Sequence, residues 1–251
     1  MRIEAVTVCI GYGDILSHTI VENQHLVDHL VVITSPDDDE TRAVCRRHSV
    51  HHVLSEEHRR GGPFNKARLI QRGFDQIRGD EWILHLDADI VLPRKFRDLL
   101  DMAHLDPACI HGADRCNLIG FEAWQTLKRD KGCWDNHSYQ NHLRIIENVG
   151  TRWCSSLHGY VPIGFFQLFH GEAARDRGIH IRTYPYHHGD AARADVQFAL
   201  QWDRRQRVLL PEVVVLHLES QATKLGANWE GRTTQRFGPT AAGDAARNPI
   251  S

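Results

Sequence analysis

The most informative stretch of the sequence is residues 82–93, which read WILHLDADIVLP. Five residues typical of a buried strand, Trp82–Leu86, lead directly into Asp87, Ala88 and Asp89. Two carboxylates one residue apart repel each other, and a divalent cation with oxygen ligands relieves that repulsion and can bridge to phosphate oxygens. The stretch therefore predicts a metal–diphosphate centre at Asp87 and Asp89. A solvated Asp-x-Asp loop is the alternative interpretation.

The residues before this stretch alternate between strand and helix patterns. Apolar runs predict three strands, at 5–10, 30–34 and 51–54. Residues at helical spacing predict three helices, at 15–26, at 38–48 and from Ile70 to Ile77. Strands that alternate with helices of this length are typical of an α/β fold with a buried, mainly parallel sheet.

The predicted sheet also indicates where chemistry occurs. In open α/β sheets, ligands bind beyond the carboxyl ends of the strands. Three predicted strands end in glycine or polar residues, at 11–14, 34–37 and 87–89. Topology alone therefore predicts a site near these three segments.

The second half of the chain has a less regular pattern. It predicts strands at 108–111, 160–169 and 213–218, and a helix at 191–202. No segment resembles a linker, so we expect a single domain over residues 1–237, with a nucleotide-binding half (1–105) and an acceptor half (106–237). Residues 238–251 are rich in Gly, Ala and Pro and are expected to be frayed.

The composition, 41% hydrophobic and 25% charged, is that of an ordinary globular protein. No apolar run approaches the roughly 20 residues that span a bilayer, and the N-terminus has no secretory pattern. Six scattered cysteines without a Cys-x-x-Cys pair favour neither a disulfide framework nor a structural zinc site. We therefore expect a cytoplasmic protein with no membrane partner.

The motifs between Val6 and Leu100 resemble, in order and spacing, those of the GT-A glycosyltransferases, especially family 2. The residues FNKA at 64–67 open a predicted helix, and the strand 82–86 then ends in DAD, with Pro93 after it. The resemblance implies a single GT-A domain, which is Rossmann-like, with a mainly parallel central sheet flanked by helices.

The resemblance also implies an activity and its cofactors. It points to a hexosyltransferase that moves a sugar from a nucleotide-sugar, a UDP-sugar, to an acceptor hydroxyl with inversion, using Mn²⁺ or Mg²⁺. In the family, the first Asp of the motif contacts the ribose or the metal and the second binds the metal. Those roles pass to Asp87 and Asp89, with Ala88 between them at the nucleotide.

Further nucleotide-binding residues follow from the first strand ends and from the FNKA element. Tyr12 is expected to flank the base, beside Gly11, which otherwise serves only a tight turn. Thr34 or Asp37 is expected to bond the base edge or the ribose. Lys66 neutralises phosphate or positions the base, unless it is a solvated surface lysine. The segment GYGDIL lacks the third glycine of a dinucleotide fingerprint.

A histidine interrupts the apolar run VVVLHL, residues 213–218. His217 is either a hydrogen-bonded core histidine or a metal ligand. The resemblance favours a ligand that completes the metal site opposite Asp87 and Asp89. His187 and His188 are a rival pair, but adjacent strand residues point to opposite faces.

The polar segment after His217 carries Lys224, Trp229 and Arg232. Lys224 and Arg232 are assigned to the donor diphosphate, over which such a loop can fold and exclude water. An ordinary C-terminal loop is the alternative interpretation.

An inverting transferase needs a general base for the acceptor hydroxyl. In related enzymes this base is an acidic residue at the start of a helix in the second half, which fits Asp195. Asp190 is the competitor, and either residue could instead serve as a helix cap or first-turn carboxylate.

Three further assignments of acceptor or function are compatible with the sequence. Small enzymes of this class include ones that glycosylate hydroxymethylated bases in DNA, so a modified DNA base is one candidate acceptor. The acidic motif also fits a haloacid dehalogenase-like phosphohydrolase. In that superfamily, however, the strand that carries the nucleophile is normally the first strand of the catalytic core. A non-catalytic nucleotide-binding module is the third alternative.

Overall fold

The computed structural model describes residues 1–129, 153–185, 191, 193–221, 228 and 230–239. Within these residues the centre of the protein is an eight-stranded sheet, and β10 of this sheet contacts a two-stranded sheet. The strands are β1 (Ile3–Val8), β2 (His29–Thr34), β3 (His51–Leu54), β4 (Trp82–Leu86), β5 (Ile90–Val91), β6 (Ile110–Ile119), β7 (Trp153–Ser155), β8 (Gly159–Val161), β9 (Phe166–His170) and β10 (Arg207–Glu219). The helices are α1 (Gly13–Asn23), α2 (Asp39–Arg47), α3 (Lys66–Phe74), α4 (Phe96–Met102), α5 (Phe121–Arg129), α6 (Gly171–Asp176) and α7 (Ala194–Ala199).

The strand order of the large sheet is β3-β2-β1-β4-β9-β6-β10-β5. The first four strands are parallel, as are β6 and β10. Strand β9 runs antiparallel between β4 and β6, and β5 runs antiparallel to β10. The predicted α/β fold with a mainly parallel sheet is confirmed. Because β1, β2 and β4 run in one direction, the segments that follow them meet at one edge of the sheet.

Helix α3 shows how the fold brings a lysine to that edge. The side chain of Asn65 caps the helix by accepting a hydrogen bond from the Arg68 N–H (3.3 Å). The helix lies close to β1 at Gly73, where an added Cβ would stand 2.2 Å from Cγ1 of Val6. This close packing fixes α3 against the sheet, with Lys66 as its first residue.

The predicted strand at 160–169 is wrong. The segment divides into β8, which pairs with β7 in the small sheet, and β9, which pairs with β4 in the large one. Pro162 separates the two strands and has no N–H to donate to a ladder. The chain then turns, because the Phe166 N–H donates to the Ile163 carbonyl oxygen (3.1 Å).

Other elements agree in type but differ in length. The strands at 51–54 and 82–86 are confirmed at their predicted bounds. Strands β6 and β10 are longer than predicted, since they pair with each other along most of their length, with an irregularity between Leu210 and Val214. The helix predicted at 191–202 is limited to α7.

No helix in the described part of the chain is long and apolar enough to cross a bilayer. The five described cysteines are free thiols, and burial raises the pKa of Cys45 and Cys109 to about 11. The division into two halves stays a prediction, and residues 240–251 of the predicted tail lie outside the described residues.

Candidate active site

The two motif carboxylates lie on a tight connection between β4 and β5. The Asp87 carbonyl oxygen accepts from the Ile90 N–H (3.2 Å), and the Asp89 carbonyl oxygen accepts from the Leu218 N–H of β10 (2.8 Å). In the β5–β10 pairing, Ile90 lies opposite His217. The connection is therefore anchored to the last strand, which brings Asp89 next to His217.

Asp87 is paired with a lysine. The ammonium of Lys66 donates a hydrogen bond to Oδ1 of Asp87. Burial raises the pKa of the Asp87 carboxyl and the charge of Asp89 adds to the rise, which together outweigh the opposing effect of Lys66. Burial lowers the pKa of Lys66, but the net shift is upward because of the carboxylates of Asp87, Asp195 and Asp89. Lys66 therefore remains a cation among three carboxylates.

Asp89 is paired with a histidine instead. Nε2 of His217 lies 3.3 Å from Oδ2 of Asp89 and 3.3 Å from Oε1 of Glu219. Nδ1 of His217 lies 3.0 Å from Oδ1 of Asn117, its register partner on β6. Because an amide oxygen only accepts, this contact favours a proton on Nδ1. Nε2 faces the two carboxylates, where it can donate to them when it is protonated or bind a cation when it is not. Burial raises the pKa of Asp89, but His217 reverses the effect and the net pKa is lowered.

These groups fit a divalent cation bound by oxygen and nitrogen. Oδ1 of Asp89 is buried and has no hydrogen-bond partner among the described residues. Leaving a buried carboxylate oxygen unpaired is costly, and a cation would satisfy it. Within the described ranges, no three His, Cys, Asp or Glu side chains form a closed metal cluster. The open pair of Asp89 and His217 suits a metal that takes its other ligands from phosphate and water.

Asp195 lies in the first turn of α7 and faces the same charged centre, since its carboxylate contributes to the raised pKa of Lys66. Its Oδ2 accepts from the Gly164 N–H (2.6 Å) and its Oδ1 from the Val196 N–H (2.8 Å). An added Cβ on Gly164 would stand 3.1 Å from Oδ2 of Asp195, so the glycine permits this approach. The two hydrogen bonds orient the carboxylate and leave each oxygen a further lone pair.

A buried polar group, the His85–Gln167–Tyr184 cluster, lies behind Asp87. Nε2 of His85 is 3.8 Å from Oδ1 of Asp87, and Nδ1 of His85 is 3.3 Å from Oε1 of Gln167. The Tyr184 hydroxyl donates to the same Oε1 (2.8 Å). Burial and then the charge of Lys66 lower the pKa of His85 to about 3, so its ring is neutral.

Tyr12 and Arg232 form a second group, at the end of β1. The Arg232 guanidinium lies 4.7 Å over the Tyr12 ring, donates to the Gly11 carbonyl oxygen (2.9 Å) and pairs with the buried Asp14. Burial and then the charge of Asp89 raise the pKa of Tyr12, which indicates that the phenol lies near the Asp89 carboxylate. Arg232 therefore links the segment 230–239 to Gly11 and to the start of α1.

The other nucleotide residues predicted from the sequence lie in different surroundings. Thr34 is fully buried, with its hydroxyl 3.4 Å from Oδ2 of Asp38. The side chain of Ala88 belongs to the hydrophobic core, and its carbonyl oxygen already accepts a hydroxyl hydrogen bond (2.7 Å). Asp37 is exposed and paired with Arg59. Five residues named from the sequence lie outside the described residues: Lys224, Trp229, Asp190, His187 and His188.

Sequence reasoning missed the partners of the named residues. His85, Gln167 and Asn117 all lie within strands and contact a motif residue or its neighbour. A polar residue inside an apolar run, as in WILHL and FFQLF, was the available signal. Tyr184 and Glu219 carried no such signal, because nothing local distinguishes them from surface residues.

Comparison with known proteins supplies the family. A model described as "Glycosyltransferase like family 2" matches residues 6–137, just over half of the chain. None of the curated proteins compared with the chain matches it significantly.

Solved structures show the fold. Glucosyl-3-phosphoglycerate synthase from Mycobacterium tuberculosis, in complex with Mn²⁺, UDP-glucose and phosphoglyceric acid, is 16% identical with a TM-score of 0.51, over 86% of this chain and 71% of that one. Mannosyl-3-phosphoglycerate synthase from Rubrobacter xylanophilus is 21% identical with a TM-score of 0.37, over 47% of this chain. The match to the Rubrobacter protein covers only 41% of that protein's length. The matched region and the Asp-x-Asp connection it contains establish that this chain belongs to the glycosyltransferase-like family 2.

Proposed function

We propose that this protein is a metal-dependent glycosyltransferase that moves a sugar from a UDP-sugar to an acceptor hydroxyl. The observation that carries the proposal is the buried Asp89 carboxylate, with one oxygen that has no partner in the described part of the chain and the other beside His217. Both groups lie at the carboxyl edge of the sheet, where α/β proteins bind their ligands. The Mn²⁺ and UDP-glucose bound by the M. tuberculosis synthase, which shares the fold, support this choice of cation and donor.

In this proposal Asp89 and His217 hold the cation, and Asp87 contacts the cation or the ribose. A divalent cation bound there offsets the negative charge that develops on the leaving diphosphate. Asn117 holds the His217 ring through Nδ1 and so keeps Nε2 directed at the metal position.

The donor is bound by residues at the ends of β1 and α3. Tyr12 presents one face of its ring to the base, and the Arg232 guanidinium lies over the ring and holds it in place. Lys66 keeps its positive charge beside Asp87 and so offsets the negative charge of a bound diphosphate. Gly11, Thr34, Asp37 and Ala88 stay predictions for nucleotide contacts, and so does Lys224.

Asp195 is proposed as the general base that takes the proton of the acceptor hydroxyl, which makes the enzyme inverting. Its carboxylate is oriented by two main-chain N–H groups and lies near Lys66, on the side of the sheet edge formed by β9 and α7. A general base needs this combination of a fixed position and a free lone pair.

The acceptor is proposed only as a hydroxyl compound. The M. tuberculosis synthase was solved with phosphoglyceric acid, and a small anionic acceptor is therefore a candidate beside the predicted modified DNA base. Family membership argues against the phosphohydrolase alternative. Its nucleophile strand normally opens the core, whereas β4 follows three other strands.

A donor panel tests the proposal. We expect UDP-sugars with Mn²⁺ to raise the thermal unfolding temperature, because a ligand at about 100 times its Kd stabilises by about 2.7 kcal/mol. Slow metal-dependent hydrolysis of the same donor should accompany binding. We expect Asp89→Asn to lower this turnover about 100-fold or more, whereas Asp101→Asn, at an exposed position of α4, keeps it. Full activity in Asp89→Asn, or turnover of phosphomonoesters instead, would contradict the proposal.

A further inference from the structure

Gln167 contacts residues on both sides of the site, namely the strand that ends at Asp87 and the main chain of Asp195. Its Nε2 donates to the main-chain oxygens of Pro162 (3.0 Å) and Asp195 (2.9 Å). Its Oε1 lies 3.3 Å from Nδ1 of His85, on the strand that ends at Asp87. Gln167 is fully buried on β9, between β4 and β6. One side chain therefore touches both the strand that carries the donor end and the residue proposed as the base.

These contacts determine which way the amide faces. Carbonyl oxygens can only accept hydrogen bonds, so the amide NH₂ must face Pro162 and Asp195. Oε1 then faces His85 and receives the Tyr184 hydroxyl hydrogen bond (2.8 Å). The reverse orientation would set the single amide oxygen against two carbonyl oxygens, a strongly unfavourable arrangement inside the protein.

The amide orientation in turn determines the state of His85. The Tyr184 hydroxyl also lies 3.4 Å from Nδ1 of His85, but it donates its proton to Oε1 of Gln167 at the shorter distance of 2.8 Å. Oε1 only accepts, so its contact with Nδ1 places the proton of the neutral ring on Nδ1. Nε2 of His85 is then a bare acceptor, and it is buried without a hydrogen-bond partner among the described residues. It lies 3.8 Å from Oδ1 of Asp87, the same oxygen that receives the Lys66 ammonium. The Nε2 lone pair therefore faces the lysine side of the carboxylate.

We propose that Gln167 is a positioning residue that holds His85 as the Nδ1–H tautomer toward Lys66 and Asp87 and at the same time holds the main chain of Asp195. The His85 Nε2 lone pair then offers Lys66 a second acceptor when Asp87 turns to the cation or the ribose. The spacing between the donor end and the base is set through this one amide. This inference rests on the proposed transferase function for its kinetic part only.

The tautomer can be tested without any turnover. In protein labelled with ¹⁵N-histidine, a two-bond ¹H–¹⁵N correlation spectrum distinguishes a protonated Nδ1 from a protonated Nε2, and a His85→Phe variant assigns the signal. We expect Nδ1–H in the wild type, and loss of that single tautomer in Gln167→Met. An Nε2–H ring or an imidazolium at neutral pH in the wild type would overturn the proposal.

Kinetics with a UDP-sugar and Mn²⁺ separate positioning from simple support of the fold. His85→Phe should raise the KM for donor about 10-fold with kcat nearly unchanged, because it alters the donor end alone. Gln167→Met should raise that KM and also lower kcat, about 10- to 100-fold in kcat/KM, because it releases Asp195 as well. Gln76→Met, an exposed glutamine after α3, is the control and should match the wild type.

The outcomes are distinguishable. A Gln167→Met protein that melts at a lower temperature but keeps the KM and kcat of the wild type would show that Gln167 only supports the fold, which overturns the proposal. A wild-type protein that neither binds nor turns over any nucleotide-sugar would contradict the proposed function instead. In that case the histidine spectrum still decides the tautomer.

Discussion

Asp87 and Asp89 are separated by a single residue, yet the two sides of the site around them differ. On the first side, Asp87 is paired with Lys66, backed by His85, and its pKa is raised. On the second side, Asp89 is paired with His217 and its pKa is lowered. One carboxylate is thus balanced by a fixed positive charge, and the other by a histidine that can also bind a metal.

The difference shows how one short motif can serve two purposes. The lysine side has its own cation, so it can neutralise part of a diphosphate without a metal. On the histidine side the charge of the buried Arg115 also acts on Asp89, but Oδ1 of Asp89 has no hydrogen-bond partner among the described residues, so this is the side prepared for a divalent ion. The predictions that follow test this division of roles.

Of the basic residues that pair with the two carboxylates, Lys66 is expected to have the larger effect. Lys66→Met leaves the Asp87 carboxylate buried without its cation, and we expect about a 100-fold loss of turnover that added Mn²⁺ does not recover. The free energy of unfolding should fall by about 1–3 kcal/mol, measured by urea denaturation. The double variant Lys66→Met with Asp87→Asn should regain that stability but not the activity. Lys95→Met, at an exposed lysine, is the control, and equal stability of the single variant and the wild type would contradict the pairing argument.

A smaller and recoverable effect is expected on the histidine side. His217→Gln removes the imidazole nitrogen from the metal position, and we expect Mn²⁺ to bind about 10- to 100-fold more weakly. Turnover should return toward the wild-type value as Mn²⁺ is raised, which a titration of rate against Mn²⁺ would show. His25→Gln, at an exposed histidine, should leave the Mn²⁺ requirement unchanged. If His217→Gln lost activity without any shift in the Mn²⁺ requirement, His217 would be a core histidine.

The smallest effect concerns stability in acid, where the two carboxylates should act in opposite directions. The lowered pKa of Asp89 contributes stability that is present above its ordinary value of 3.8 and is lost as the pH falls through the folded value. The raised pKa of Asp87 has the opposite sign, because the folded protein takes up that proton more readily and gains stability as the pH falls toward 3.8.

Urea denaturation of the metal-free protein, at pH values about one unit apart between pH 3 and 7, measures these slopes. A difference of one unit between the pKa values of a group in the folded and unfolded states corresponds to about 1.4 kcal/mol. Asp89→Asn should lose stability less steeply in acid than the wild type, and Asp87→Asn more steeply. Equal slopes in both variants would remove the contrast between the two sides.

The amount that could be predicted differs between the two sides as well. Residues 64–93 form the lysine side from neighbouring elements, so Lys66 and the Asp-x-Asp motif could be named from local patterns. His217 could be singled out from the apolar run that it interrupts, but the choice of a metal ligand needed the resemblance, because β10 meets β5 through a pairing between distant parts of the chain. The roles of Asn117 and Gln167 could not be predicted, since they depend on the strands that lie beside them.

The failed prediction at 160–169 has the same origin. An apolar run of that length favours one strand, and the division between β8 and β9 depends on which sheet each part joins. Thr34 and Ala88 were named for their positions at strand ends, and they stay predictions; the sequence pattern did not show that both are buried.

The sequence by itself determined the α/β alternation, the order of the first strands and the presence of two acids at a strand end, because hydrophobic periodicity and turn residues act over a few neighbours. Only the tertiary structure decided which acid faces a lysine and which a histidine, and which buried amide links the donor end to Asp195. Those outcomes depend on contacts between segments far apart in the chain, where burial and nearby charges set the hydrogen bonds and the pKa of each group.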